Sequence, residues 1–176
     1  MSGAASSRIG QLRRMHDDGQ NSAANRLSEI APEAIRAMGA LERYAHEVKI
    51  EKSLVELVKM RVSMMNGCAY CVGMHSKDAR EAGESEQRLY ALSVWREAPS
   101  FTPREGAALA WTEAVTEVSV GHVPDDVYRL AREHFNEREI IDLTMTVIAI
   151  NAWNRLATAF RAVVGGYQPA KQHTAV

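Results

Sequence analysis

The sequence has two cysteines in 176 residues, and both fall within one short stretch. Two are too few for a disulfide framework, the usual staple of small secreted folds. No segment approaches the ~20 consecutive apolar residues that span a bilayer. The first residues, MSGAASSRIGQLRRM, lack the apolar core of a secretion signal. The expected location is therefore cytoplasmic, a compartment in which thiols stay reduced. Charge of one sign is missing as well. With 21 basic and 22 acidic side chains the formal net charge is −1, and no Lys/Arg run occurs. Nothing points to nucleic acid or to an anionic membrane as a partner.

Strand signals are scarce, and helix signals follow one another. Pro32 suits a first helical turn, and Ile35, Met38, Leu41, Ala45 and Val48 follow at helical spacing. In the segment from about Glu51 to Met65, apolar residues cover most of the circumference, so it should be largely buried. Asn66-Gly67 breaks it, with the glycine free to take a left-handed cap. A helix then runs from Cys68 to near Gly83, and Ser85 caps another over 86–97. Thr102-Pro-Arg-Glu105 and Asn136-Glu-Arg-Glu139 both read as helix starts with a cap and a glutamate three residues on. The first of these helices reaches about Val118. Pro124 opens one ending near Phe135, and a long last helix should run from Glu137 to about Val164, ended by Gly165-Gly166. The expectation is an all-α fold. Residues 1–25 read as a flexible N-terminal arm and 26–176 as one compact helical domain.

What the chain does have is NGCAYCVGMHSKDAR, residues 66–80. On a helix, Cys68, Cys71 and His75 fall within about 60° of one another and share a face. Their i, i+3 spacing puts the two cysteine Cα atoms about 5 Å apart, inside the range a disulfide needs. A helix that begins at the cysteines would direct its positive end at a thiol and favour the thiolate. His75 would accept or relay its proton.

Several chemistries use such a pair. A c-type haem site needs histidine directly after the second cysteine, where this chain has Val72. A thioredoxin-like site needs a βαβ context, and these flanks are helical. A structural zinc site built on Cys68, Cys71 and His75 wants a fourth ligand, and no second CxxC or HxxxH exists. Two cysteines merely buried in a core helix would not need the shared histidine. A dithiol redox site remains the favoured reading. Upstream, Glu56 sits among Leu54, Val55, Leu57 and Val58. A hairpin at Asn66-Gly67 would bring it level with residue 77, close to His75. There it could act as a proton acceptor or donor, or simply pair with Lys52 or Lys59 at a helix surface.

Glu56, eleven residues, Cys68-Ala-Tyr-Cys71, three residues and His75 together resemble the core motif of the AhpD-like alkylhydroperoxidases. These belong to the carboxymuconolactone decarboxylase superfamily. The resemblance extends over RVSMMNGCAYCVGMHSKDAREAGESEQRL and INAWNRLATAFR, roughly residues 30 to 165. It implies an all-helical homo-oligomer, a trimer or hexamer, and a thiol-dependent peroxidase that uses neither haem nor metal. By position, Cys71 would be the peroxidatic cysteine and Cys68 the resolving one. His75 and Glu56 would form the proton relay. The implied partners are a peroxide substrate and a dithiol, in founding members that of a lipoyl-bearing protein. Some founding members carry a histidine where this chain has Tyr70. Decarboxylases of the superfamily lack the CxxC, so the pair argues against lactone chemistry. The alternative is a non-catalytic oligomer of the same superfamily that senses redox state or binds a small molecule.

Other residues read as follows. Met60, Met64, Met65 and Met74 are core filler in preference to a lining for an organic peroxide. Tyr70 contacts substrate or packs. Asn151, Trp153, Asn154 and Arg155 line the site, a subunit contact or one polar face. His16, His46, His122, His134 and His173 have no companions at ligand spacing and read as surface residues.

Overall fold

The computed structural model describes residues 23–169. They form α1 (Ala23–Ile30), α2 (Pro32–Glu47), α3 (Lys52–Met65) and α4 (Ala69–Glu81). Next come α5 (Glu86–Ala91), which tightens into a 3₁₀ turn over Leu92–Val94, and α6 (Pro103–Thr116). The short α7 (Val118–Gly121), α8 (Asp125–His134) and the long α9 (Glu137–Ala159) complete the fold. No strand occurs among the described residues, and the fold is all-α as expected. No helix among them is long and apolar enough to cross a membrane. Most of the segment read as an N-terminal arm lies outside the described residues. Its last three positions belong to α1, a helix the sequence pattern did not reveal.

Helix α3 is the centre of the packing and lies against α4, α6 and α9. Its residues are buried on nearly every side, as the distribution of its apolar positions requires. One face carries Val55, Val58 and Val62 into a cluster with both cysteines, Trp111, Phe135, Val147 and Ile150. The opposite face carries Leu57 and Met60 into a second cluster with Leu89, Leu92 and Leu109. Met60 is buried there and the partly buried Met64 packs against the cluster, in line with the sequence reading. The helix starts follow from their caps. Thr102 with Glu105 and Asn136 with Glu139 each form a reciprocal capping box.

The turn from α3 to α4 fixes the rest of the site. Gly67 takes a left-handed φ of 64°. The Cys68 N–H then bonds back to the Ser63 carbonyl at 3.0 Å and the Gly67 N–H to Met64 at 3.1 Å, closing the end of α3. The chain reverses and α4 runs back along α3.

Two expected boundaries differ. The helix expected over 86–97 loses its α geometry at Leu92, and the tighter turn leaves the Trp95 indole N–H donating to Glu113 at 2.8 Å. The last helix ends at Ala159, not Val164. Arg161 takes the left-handed conformation (φ 57°), and the Ala162 N–H bonds to the Ala157 carbonyl at 2.8 Å. The apolar residues beyond continue the helical period in sequence. In space they leave the helix as a tail, and Val164 lies against α4 at Gly73. Lys77 on α4 holds the tail by donating to the Tyr167 carbonyl at 2.7 Å.

A β-carbon added at Gly67 meets nothing within 4 Å, so only the backbone conformation resists substitution. Gly67→Ala should therefore destabilise the protein by about 1 kcal/mol, read as a lower urea midpoint with unchanged slope. An unchanged midpoint would mean that the turn tolerates another conformation.

Candidate active site

Cys68 is the N-cap of α4, and its sulfur accepts the Cys71 backbone N–H at 3.4 Å. Cys71, one turn on, lies with its sulfur 2.7 Å from that of Cys68. Both are free thiols, and both are buried. Only Cys71 of the two lines a cavity of about 340 Å³ between α4 and α9. Tyr70, Met74, Ile150 and Trp153 supply its apolar wall. Met74 thus faces the cavity, where the sequence reading favoured core filler.

His75, 4% exposed, lines the same cavity, and its Nδ1 lies 2.9 Å from Glu56 Oε2. The hairpin brings the two together across α3 and α4, as expected. Glu56 itself faces a second cavity of about 460 Å³. His46, Asp78 and Tyr167 border both cavities. The His75–Glu56 bond therefore links the thiol cavity to its neighbour.

The structure adds residues that the motif did not include. Asp78 continues the face of α4 that carries Cys71 and His75, at i+7 and i+3, a spacing visible in the sequence. The Tyr167 hydroxyl donates to Asp78 Oδ1 at 2.7 Å. Burial first, then this bond, raises the Tyr167 pKa, so the phenol stays a donor. On the far wall, Glu42 accepts from the Trp153 indole at 3.0 Å and from the fully buried Lys59 at 2.7 Å. Burial pushes the Glu42 carboxyl up, but the Lys59 ammonium, His46 and Trp153 together outweigh it and keep Glu42 ionised. His46 is largely exposed and pairs with Glu42 at 3.2 Å, at the cavity rim. His122 is exposed and His134 half-buried, while His16 and His173 lie outside the described residues.

Burial pushes the Cys71 thiol up to about 12, and the hydrogen bond and charge of Cys68 add to the rise. The side-chain amide of Asn154 opposes it. This corrects the expectation that the start of α4 lowers the pKa of the reactive thiol. The Cys71 N–H in the first turn goes to the Cys68 sulfur, and Cys71 is itself buried among apolar side chains. Cys68, Cys71 and His75, the zinc set considered from sequence, do not converge as a ligand set among the described residues. The residues whose ligand atoms do converge, within 4.8 Å, are Glu56, His75 and Asp78. They could hold a divalent ion, but each already has a protein partner.

The Carboxymuconolactone decarboxylase family profile matches residues 31–114, which include the whole hairpin. YdfG of Bacillus subtilis, an uncharacterized protein, is 44% identical over 131 residues, covering 74% of this chain and 89% of YdfG. A crystal structure from Agrobacterium tumefaciens is 42% identical, with a TM-score of 0.75 over 81% of this chain and 95% of the other. That protein is described as of unknown function and as a proposed antioxidant defence protein, AhpD. The chain is an AhpD-like member of the carboxymuconolactone decarboxylase superfamily. A shorter match, 52% identical over 46 residues (26% of each chain), is to the alkyl hydroperoxide reductase AhpD of Mycobacteroides abscessus. The fold also matches that of the debrominase Bmp8, with a TM-score of 0.73 at 19% identity over 91% of this chain and 88% of that one. The AhpD-like fold thus occurs with more than one chemistry.

The raised Cys71 pKa has a direct kinetic consequence. Below its pKa the thiolate fraction falls tenfold for each pH unit. Alkylation of Cys71 by iodoacetamide, followed by mass spectrometry, should climb about tenfold per unit from pH 7 past pH 9 without levelling. A plateau below pH 8 would show that the thiol is not held protonated.

Proposed function

We propose that the protein is a thiol-dependent peroxidase that reduces hydrogen peroxide or small organic hydroperoxides through a Cys71–Cys68 dithiol/disulfide cycle. The observation that carries this reading is a pair of adjoining free thiols of which one faces an apolar cavity, with a histidine–carboxylate pair on the same wall. The AhpD-like relatives support it.

At rest the apolar surroundings keep Cys71 protonated. His75, backed by Glu56, takes the proton as peroxide enters the cavity. The Cys71 thiolate attacks one peroxide oxygen, an S–O bond forms and the O–O bond breaks. The leaving oxygen collects a proton from the relay and departs as alcohol or water. Cys71 is now a sulfenic acid. The Cys68 sulfur, already in contact, attacks it, and water leaves as the disulfide closes. An external dithiol, of the lipoyl type, then attacks Cys71, the sulfur open to the cavity, and Cys68 departs as a thiolate onto the N–H of Cys71. The second thiol of the donor resolves the mixed disulfide. The donor leaves oxidised by two electrons, which balances the two delivered to peroxide. The cycle uses no cofactor beyond the thiol pair and suits a cytoplasmic setting.

The high Cys71 pKa favours one competing reading, a redox sensor that oxidises once. Turnover separates the two. With dihydrolipoamide as donor, wild-type protein should consume peroxide repeatedly, and Cys71→Ser should not. Cys68→Ser should stop after one turnover, with a sulfenic acid on Cys71 detectable by dimedone. Glu56→Gln should slow turnover by about tenfold or more, with an unchanged fold. Wild-type rates in Glu56→Gln would remove Glu56 from the relay, and a single oxidation without turnover would favour the sensor.

We also propose a homo-oligomer, a trimer or a multiple of three. Both α3 and α9 are apolar on more than one face, more than a monomer of this size readily covers. In the structure α3 is enclosed by its own chain, whereas α9 leaves Ile141 and Ile148 exposed on one face, with Met145 half-buried between them. Light scattering at micromolar concentration should give a mass three times that of the chain or a multiple of it. Ile148→Glu should reduce it to one. A wild-type monomer would overturn the assembly.

A further inference from the structure

The thiol cavity carries charge of one sign at its polar end. Among the described residues, Glu42 and Asp78 line it, and no lysine or arginine does. The two carboxylates differ in what faces them. One oxygen of Glu42 meets the Lys59 ammonium at 2.7 Å and His46 at 3.2 Å, and the other accepts from Trp153. Asp78 has no such compensation. Its Oδ1 accepts from the Tyr167 hydroxyl, a neutral donor, at 2.7 Å. None of the ion pairs among the described residues includes Asp78.

The groups behind Asp78 do not offset it. The adjoining cavity is bordered by Glu56, Asp78 and Glu81 against one lysine, Lys52. Lys77 is directed at the Tyr167 carbonyl and lines neither cavity. The Cys71 N–H at the start of α4 is taken by the Cys68 sulfur. Tyr167 registers the resulting field. Burial leads the rise of its pKa, the bond to Asp78 comes next, and the negative charges of Asp78 and Glu56 add to it. The rest of the wall is apolar, so an entering anion would lose hydration there and gain no cation in return.

Resting on the reading of Cys71 as the peroxide-reducing thiol, we propose that Asp78 is a specificity-determining residue that closes the thiol cavity to anions. The substrate class is then an uncharged hydroperoxide. Its apolar body lies against Tyr70, Met74, Ile150 and Trp153, and its peroxide group faces Cys71. Hydroperoxides that carry a carboxylate are held out by Asp78, whose negative charge acts through surroundings that screen it poorly.

The test compares two reagents of nearly equal size at Cys71 in the full chain. Iodoacetamide is neutral and iodoacetate is an anion. Both attack the same thiolate, so the ratio of their rates is independent of the Cys71 pKa. Each rate is read by mass spectrometry and divided by that for 2-mercaptoethanol, which removes intrinsic reactivity. On this scale iodoacetate should be at least about tenfold slower than iodoacetamide. Asp78→Asn removes the charge and keeps an acceptor for Tyr167, and it should narrow the gap by at least about threefold. Glu97→Gln alters an exposed carboxylate that borders neither cavity and should keep the wild-type ratio. Where Asp78→Asn fails to fold, wild-type protein is treated with 2-aminoethyl and 2-sulfonatoethyl methanethiosulfonate. The cationic reagent should then modify Cys71 at least about tenfold faster than the anionic one on the same normalised scale. Equal normalised rates within either pair of reagents, an unchanged ratio in folded Asp78→Asn, or an equal change in Glu97→Gln would overturn the proposal. In turnover with dihydrolipoamide, cumene hydroperoxide should show at least about tenfold higher kcat/KM than its para-carboxylate. The alkylation arms use no peroxide. Charge selection in a protein without turnover would remove the peroxidase reading and leave the role of Asp78 standing, whereas turnover of both peroxides at equal kcat/KM would do the reverse.

Discussion

The reversal at Gly67 is the constraint on which the other features of this molecule depend. It turns the most buried helix of the fold back on itself within a few residues. That places the first turn of α4 against α3 and brings Glu56 into contact with His75, 19 residues away in sequence. The same turn presents Asn66 to two asparagines of α9. A looser loop would satisfy the backbone of neither helix end, and the cysteines would no longer face a cavity shaped by α9. The site is thus a property of a turn and two helix ends, held by the rigid packing of α3.

Burial and reactivity oppose each other here. The surroundings that shield the two thiols from water also hold the Cys71 proton in place. A thiol held protonated is a poor nucleophile, and in the proposed cycle it would react once a base takes its proton. The same tension recurs on the far wall. Lys59 is fully buried, and its charge is compensated by Glu42, whose other oxygen is taken by Trp153. An ion pair so placed contributes little net stability, since desolvation offsets its attraction. Its effect is to fix an ionised carboxylate and an indole at the cavity wall, so the shape and polarity of the space above Cys71 are set by charge as much as by packing.

Features encoded locally were legible in the sequence. Two capping boxes, the break at Asn66-Gly67, the buried character of α3 and the meeting of Glu56 with His75 all follow from spacings of a few residues, or from one hairpin. Features that depend on distant elements were not. Nothing near Lys59 in sequence indicates that Glu42 will cover it. Tyr167 reaches Asp78 because α9 ends early at Ala159 and the chain turns off at Arg161, and the apolar positions beyond carry no mark that they pack from a tail instead of a helix. The direction of the Cys71 shift was misread for a related reason. The position of a helix start is visible in sequence, whereas which of two cysteines its N–H groups face depends on which one becomes the cap.

Two cavities share Asp78, His46 and Tyr167, and in the proposed cycle they would divide the work of a two-electron thiol reaction in space. Cys71 meets the apolar wall of the smaller one, which is where the proposed sulfur chemistry would take place. Glu56 opens onto the larger one, and His75 bridges the two through its bond to Glu56. In the proposed cycle, protons would pass to the larger cavity through Glu56, while the Cys71 sulfur stays among apolar side chains of the smaller one. The separation accounts for the tail as well. Tyr167, anchored by Lys77 through its carbonyl and by Asp78 through its hydroxyl, occupies the border between the cavities. A phenol kept protonated there closes the polar side of the thiol cavity without adding a charge. The apolar side, lined by Tyr70, Met74, Ile150 and Trp153, remains the part whose shape selects what approaches the sulfur.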